Sequence, residues 1–271
     1  MLRLCFVALW VGLFFSVTFS SALKAGMELW YEGTAESRTT YANEPPSGYS
    51  EKLTVVVLVL DTPKGANADV VQMRAWKMPQ DETFDRTYVH CGSVSPDGKF
   101  VPAPYLEELP LLFAPLRPLN LKRNWTNEEP LVAGVFTSQL KAKVTSQTLG
   151  QATIDDKRCW LLVRHLPKPF KVAHGASGAN YIVTMWTDWF WIDAQTGLLI
   201  KWKRRWKYVA QDAPEKYVST DTLELTLKRV KVWDAETLRR LQADFRLIHS
   251  LQGMIDSLEE TEEKLERAEK A

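Results

Sequence analysis

Apolar positions recur every second residue along much of this chain, which is the period of half-buried β-strands. The sharpest case is Tyr181 to Val209, YIVTMWTDWFWIDAQTGLLIKWKRRWKYV. After its turn, Leu198, Ile200, Trp202, Trp206 and Tyr208 take one parity, and Lys201, Lys203, Arg205 and Lys207 take the other. Asp193-Ala194-Gln195-Thr196-Gly197 supplies the turn: an Asp to cap it through its side chain and a Gly for the left-handed residue that closes it. The segment is therefore expected to be a hairpin in which Asp193 pairs with Leu198. Extended without interruption, that register places Trp191 opposite Ile200, Trp189 opposite Trp202 and Met185 opposite Trp206. On the other face it sets Asp188 against Lys203 and Trp186 against Arg205.

The same reading predicts further strands. Glu28 to Thr34 is one. Leu53 to Leu60, LTVVVLVL, is apolar on both parities and β-branched, so it is expected to be central and covered on both faces. Asp61-Thr62-Pro63-Lys64-Gly65 turns the chain back into Val70 to Met78. Strands are also expected at Val132 to Phe136, Val144 to Ile154, Arg158 to Leu166 and Tyr217 to Val232, the last with Leu223, Leu225 and Leu227 inward. Between about residues 101 and 130 the pattern fails. Pro102, Pro104, Pro110, Pro115 and Pro118 remove ladder donors and block helix, so this stretch is expected to cross or cover the sheet.

The period changes after Trp233. Asp234 is a good N-cap, and Leu238, Leu241, Phe245, Ile248 and Ile255 keep a helical stripe. From Glu259 the tail is mostly charged, with Glu260–Lys264, Glu263–Arg267 and Glu266–Lys270 pairs that support a solvated, coiled-coil-like helix. The expected fold is mainly β (α+β): an antiparallel sheet over residues 23–233 and a long amphipathic helix with a charged tail over 234–271.

The N-terminus fits none of these patterns. Arg3, an apolar run from Leu4 to Phe19 and Ser20-Ser21-Ala22 read as a signal peptide over residues 1–22, with a retained anchor as the alternative. The expected location is secreted or periplasmic, in the cell envelope. Losing Arg3 takes Lys+Arg from 34 to 33, against 33 Asp+Glu, so the mature chain is close to neutral and has no general pull toward nucleic acid. No second run is long enough to span a bilayer as a helix. Two cysteines remain, Cys91 and Cys159. In an exported protein a disulfide between them is the expectation, and two buried thiols the alternative.

Candidate chemistry is sparse. His90, His165, His174 and His249 have no Cys or His partner at zinc-site spacing. Gly175-Ala176-Ser177-Gly178 does not continue as a nucleophile elbow, because Ala179 replaces its last glycine. Asp155 and Asp156 are adjacent and point apart on a strand or turn, which suits no paired-carboxylate chemistry. No catalytic residue, metal site or cofactor is expected. What stands out is the aromatic parity of the hairpin: Tyr181, Met185, Trp189, Trp191, Trp202, Arg204, Trp206 and Tyr208. These residues would make either a pocket for an apolar or amphiphilic ligand, with Arg204 needing a partner or an acidic head, or a core packed under the C-terminal helix. The basic parity, Lys201, Lys203, Arg205 and Lys207, is either the solvent face of an amphipathic strand or a contact for anionic polymers or headgroups.

The Trp189 to Leu199 stretch, WFWIDAQTGLL, the strand after it and the charged turn Asp155-Asp156-Lys157-Arg158-Cys159-Trp160 resemble the superfamily of periplasmic lipoprotein-localisation factors and related exported proteins. The resemblance implies a strongly curved sheet, a half-open β-barrel whose concave face holds lipid, with a lipid or lipoprotein as partner. The proline-rich segment and the charged helix depart from that family. The alternative is an envelope module that docks a protein partner through its C-terminal helix.

Overall fold

The computed structural model describes residues 23–62, 68–77, 85–94, 100–102, 124–131, 140–173, 180–247 and 250. The expected signal peptide, the strand expected at Val132 to Phe136, most of the proline-rich segment and the charged tail lie outside the described residues, as does any coiled coil in that tail.

The strands are β1 (Met27–Tyr41), β2 (Ser47–Asp61), β3 (Ala68–Lys77), β4 (Asp85–Val94), β5 (Phe100–Pro102), β6 (Asn124–Leu131), β7 (Leu140–Ile154), β8 (Lys157–His165), β9 (Phe170–Ala173), β10 (Asn180–Asp193), β11 (Leu199–Ala210) and β12 (Tyr217–Val232). They form one twelve-stranded antiparallel sheet in the order β5-β4-β3-β2-β1-β12-β11-β10-β8-β7-β6, with β9 beside β10. The path has two ends and does not close into a barrel. One connection sets the topology: the last strand, β12, returns to pair with the first along its whole length, Met27 opposite Val232 through Tyr41 opposite Tyr217. That seam joins the hairpin ladder β1 to β5 to the ladder β6 to β11.

Alternation explains why one face is dry. On β2, Leu53, Val55, Val57 and Val59 expose at most 1 % of their surface, while Thr54, Val56, Leu58 and Leu60 are half-buried. The strand is therefore closed on one face and partly open on the other, instead of covered equally on both. Each such buried aliphatic side chain contributes about 1.5–3 kcal/mol relative to exposure. Leu223 and Leu225 of β12, Leu29 and Tyr31 of β1 and Leu162 of β8 continue the same face, and the Tyr31 hydroxyl donates to the Leu199 carbonyl at 3.1 Å. At Gly33 the β12 backbone leaves no room for a side chain: a Cβ there would lie 1.7 Å from the Glu224 carbonyl oxygen.

The helix α1 covers residues 235–247 and is short among the described residues. Asp234 caps it as expected, its carboxylate accepting from the Glu236 and Thr237 amides at 3.0 and 2.8 Å. These bonds hold the Asp234 carboxyl below the usual carboxylate range. The helix docks on the end of the sheet: Gln242 donates to the Leu60 carbonyl at 2.7 Å, and Trp233 N donates to the Gly26 carbonyl at 2.9 Å. No helix among the described residues is long and apolar enough to cross a membrane.

Candidate functional site

The candidate site is the β10–β11 hairpin and the strands on either side of it. Its turn forms as the sequence predicts. Asp193 Oδ1 accepts from the Gln195 and Thr196 amides at 2.7 and 2.9 Å, and Gly197 adopts a φ of 73°. Asp193 N then donates to the Leu198 carbonyl at 2.8 Å, and Ile192 pairs with Leu199.

The ladder does not run on from there. Trp191 pairs with Lys201, so Ile200 is an extra residue on β11, a β-bulge. A second bulge at Thr184 of β10 restores the first register, and Val183 pairs with Tyr208. Between the two bulges the strands are slipped by one residue, which turns every β10 side chain to the face opposite the expected one. The pairs are Trp189 with Lys203, Asp188 with Arg204, Trp186 with Trp206 and Met185 with Lys207.

The predicted site residues are therefore divided. Trp202, Arg204 and Tyr208 lie buried on the dry face with half-buried Trp206, and half-buried Tyr181 packs edge-on against Tyr208 with ring centroids 5.6 Å apart. Met185, Trp189 and Trp191 stand on the opposite face beside Lys207, Lys203 and Lys201, and the Lys201 ammonium lies 5.7 Å from the Trp191 ring centre. Their places on the dry face are taken by Trp186, Asp188 and Phe190, exposed by 1, 0 and 2 %. Phe190 stacks on Trp202 at 6.4 Å between ring centroids.

The slip gives Arg204 the partner that the sequence left open. Its guanidinium grips the Asp188 carboxylate at two points, Nε to Oδ1 at 2.6 Å and a terminal nitrogen to Oδ2 at 2.8 Å. The Trp186 and Trp202 rings flank it, their centroids 4.9 and 5.0 Å from the guanidinium carbon. Asp188 also pairs in register with Arg164 of β8, whose guanidinium stands 5.5 Å from the Phe190 ring and 5.7 Å from the Trp186 ring. Arg164, Asp188 and Arg204 thus form one row across three strands. The apolar row beside it runs Leu162, Phe190, Trp202, Leu225.

On the other side of the charged row lies a polar pocket of the core. Asp221 of β12 is 9 % exposed and bonds to Ser37, Ser219 and the Trp206 indole, yet burial holds its carboxyl above the usual range. Burial and the neighbouring Asp221 charge push the Tyr208 phenol up as well.

The expected disulfide is absent. Cys159 is a free, buried thiol whose Sγ donates to the Lys157 carbonyl at 3.6 Å, and burial raises its pKa. Its strand, β8, is separated in the sheet from β4, the strand of Cys91, by β3, β2, β1, β12, β11 and β10. Among the described residues no group of His, Cys, Asp and Glu could hold a metal ion.

Comparison of the sequence with protein families finds no match, and comparison with curated proteins finds none. Among solved structures, lipovitellin superposes over 78 % of this chain at 12 % identity and a TM-score of 0.47. The chain spans about a quarter of that protein's length, 26 %. A DUF1329 family protein from Desulfovibrio piger matches over 80 % of this chain and 90 % of its own, at 7 % identity and a TM-score of 0.23. A LolA superfamily protein from Nitrosomonas europaea matches over 81 % and 95 %, at 11 % identity and a TM-score of 0.14. These are weak likenesses between β-rich folds, and at such scores they carry no argument about function.

Proposed function

We propose that this protein is an exported, non-catalytic β protein that binds an amphiphile against the dry face of its open sheet. The apolar tail would lie along Leu162, Phe190, Trp202 and Leu225, and the acidic head at the row of Arg164 and Arg204. One observation carries the reading: a two-point Arg204–Asp188 ion pair, flanked by two indoles, stands in the middle of an otherwise largely apolar face. A face built only to fill a core gains little from such a pair, because apolar residues of similar volume are often as stable. An acidic head gives the arginines a second use, since guanidinium recognises carboxylate and phosphate at two points. Trp186 and Trp202 are each 1 % exposed, so the ligand enters only when that face opens. An unclosed sheet opens without breaking a ladder, and the half-open barrel of the family resemblance is the shape this reading needs.

The test is a titration of the full chain's tryptophan fluorescence with a saturated fatty acid and with a lysophospholipid. A saturable shift is expected, weakened about tenfold by Arg164→Gln. A flat titration of folded protein would remove the reading. The burial of the dry face favours a second reading in that event, a cell-envelope module whose helix α1 docks a protein partner.

A further inference from the structure

A second site lies on the opposite face of the sheet, and the charge pattern there points to its ligand. On that face Lys201 and Lys203 of β11 share one carboxylate, Glu224 of β12, at 2.5 and 3.3 Å. Further along the same two strands the carboxylates stop. Arg205 pairs in register with Thr222, and Lys207 with Thr220; across β12, Thr220 pairs with Arg38 of β1. Arg38 and Arg205 are exposed and make no ion pair among the described residues. Their Cα atoms are about 12 Å apart, two strand spacings across and two residues along.

A groove of about 950 Å³ opens at this place, within the usual size of ligand pockets. Arg38 and Arg205 line it together with the hydroxyls of Thr40, Ser50, Thr220 and Thr222, which share their face of the sheet. Glu36 adds one carboxylate. At the groove β1, β11 and β12 are paired on both sides, so recognition there falls to side chains. The Ser47–Ser50 part of β2 pairs with β1, and the ladder between β2 and β3 covers Lys52 to Asp61.

We propose that this groove binds an anionic oligosaccharide, a sugar chain carrying sulfate or phosphate esters. The two arginines, spaced about two sugar units apart, would each take an ester anion at two points. The hydroxyls match a polyol. Glu36 opposes the ligand's charge and limits affinity. The site is independent of the dry face, so it stands or falls separately from amphiphile binding.

The experiment is calorimetric titration of the full chain with a heparin-derived hexasaccharide. Inorganic phosphate, uncharged maltohexaose and hexaglutamate are run in parallel, with circular dichroism confirming the fold of every variant. The hexasaccharide is expected to saturate one site, phosphate to bind at least tenfold more weakly, and maltohexaose not to bind. The double variant Arg38→Gln/Arg205→Gln should lose tenfold or more, and Glu36→Gln should tighten binding. Lys52→Gln, which removes one positive charge outside the groove, should have little effect. The proposal is overturned if the wild-type protein gives no saturable binding. It is overturned equally if Lys52→Gln weakens binding as much as Arg205→Gln, or if hexaglutamate binds as well as the sugar, because either result means a general basic face.

Discussion

Removing Asp188 alone should be far more damaging than removing Asp188 and Arg204 together. The pair is bidentate at 2.6 and 2.8 Å, Asp188 is fully buried, and the Arg204 side chain is 5 % exposed. Two unit charges about 4 Å apart attract by about 4 kcal/mol at the effective dielectric of such sites. Asp188→Leu discards that attraction and leaves the Arg204 charge in a dry face without its carboxylate, a change that typically costs about 3–5 kcal/mol. For a chain of this size that is a fall in Tm of about 10 °C. Arg204→Met alone leaves the Asp188 carboxylate beside Arg164 in the row and should cost less than Asp188→Leu. The double variant Asp188→Leu/Arg204→Met removes the buried charge together with its carboxylate, leaves the half-buried Arg164, keeps the volume and should lie within about 1–2 kcal/mol of wild type. Equilibrium urea unfolding followed by near-ultraviolet circular dichroism gives the four corners of the cycle. Lys203→Met serves as the control for register, because Lys203 faces Glu224 and not Asp188. If Asp188→Leu costs less than about 1 kcal/mol, or if Lys203→Met rescues it, the slipped register and the ion pair derived from it are wrong.

Other consequences are as direct. Gly33→Ala drives a methyl into the Glu224 carbonyl and should destabilise by about 1–3 kcal/mol, at the upper end, in the same urea assay; a neutral effect contradicts the close approach of β1 and β12. The folded chain holds the Asp221 proton more tightly than the unfolded chain, so that contribution is complete below the unfolded value of about 3.9 and is lost as pH rises through the raised folded value. Asp221→Asn should accordingly flatten the decline in stability as pH rises above about 4, and an unchanged pH profile would count against it. Asp234→Ala should fray the start of α1, seen as faster amide exchange at Glu236 and Thr237. In wild type the cap should be kept above the unfolded carboxyl pKa and lost as pH falls through the lowered folded one. Expression in the source compartment should yield a chain beginning near Leu23, and N-terminal sequencing that reads Met1 from a soluble cytoplasmic pool refutes export.

Much of the sheet was legible because alternation is a local signal. Tyr217 to Val232 was read with its boundaries and its inward Leu223 and Leu225, and the Asp193–Gly197 turn with its capping geometry. The pairing of β1 with β12 was not, since contacts between the two ends of a chain leave no mark on either segment. Strand β6 was missed at Asn124–Leu131, in the stretch expected to cross or cover the sheet, because its polar residues and Pro130 break the alternation. The hairpin failed for a sharper reason. β10 is apolar on both parities, Trp189 and Trp191 on one and Trp186, Phe190 and Ile192 on the other, so its pattern cannot choose a face. The faces of β11 were read correctly and those of β10 were inverted by a single extra residue, Ile200. A signal did exist. Arg204 fell on the apolar parity with no partner, and Asp188 is the one carboxylate in the middle of β10. Bringing them together requires the slip that the bulge provides.

The central claim is that an amphiphile sits on the dry face, and quenching by a bromine-labelled fatty acid tests it most directly, because bromine quenches only the indoles it touches. The labelled acid should quench saturably, and the quenching should survive Trp189→Phe/Trp191→Phe, which removes the two indoles on the opposite face of β10. It should fall sharply in Trp202→Phe, which keeps an aromatic ring in place. Quenching that does not saturate, or that disappears with Trp189 and Trp191 and persists without Trp202, would place the ligand elsewhere and contradict the account.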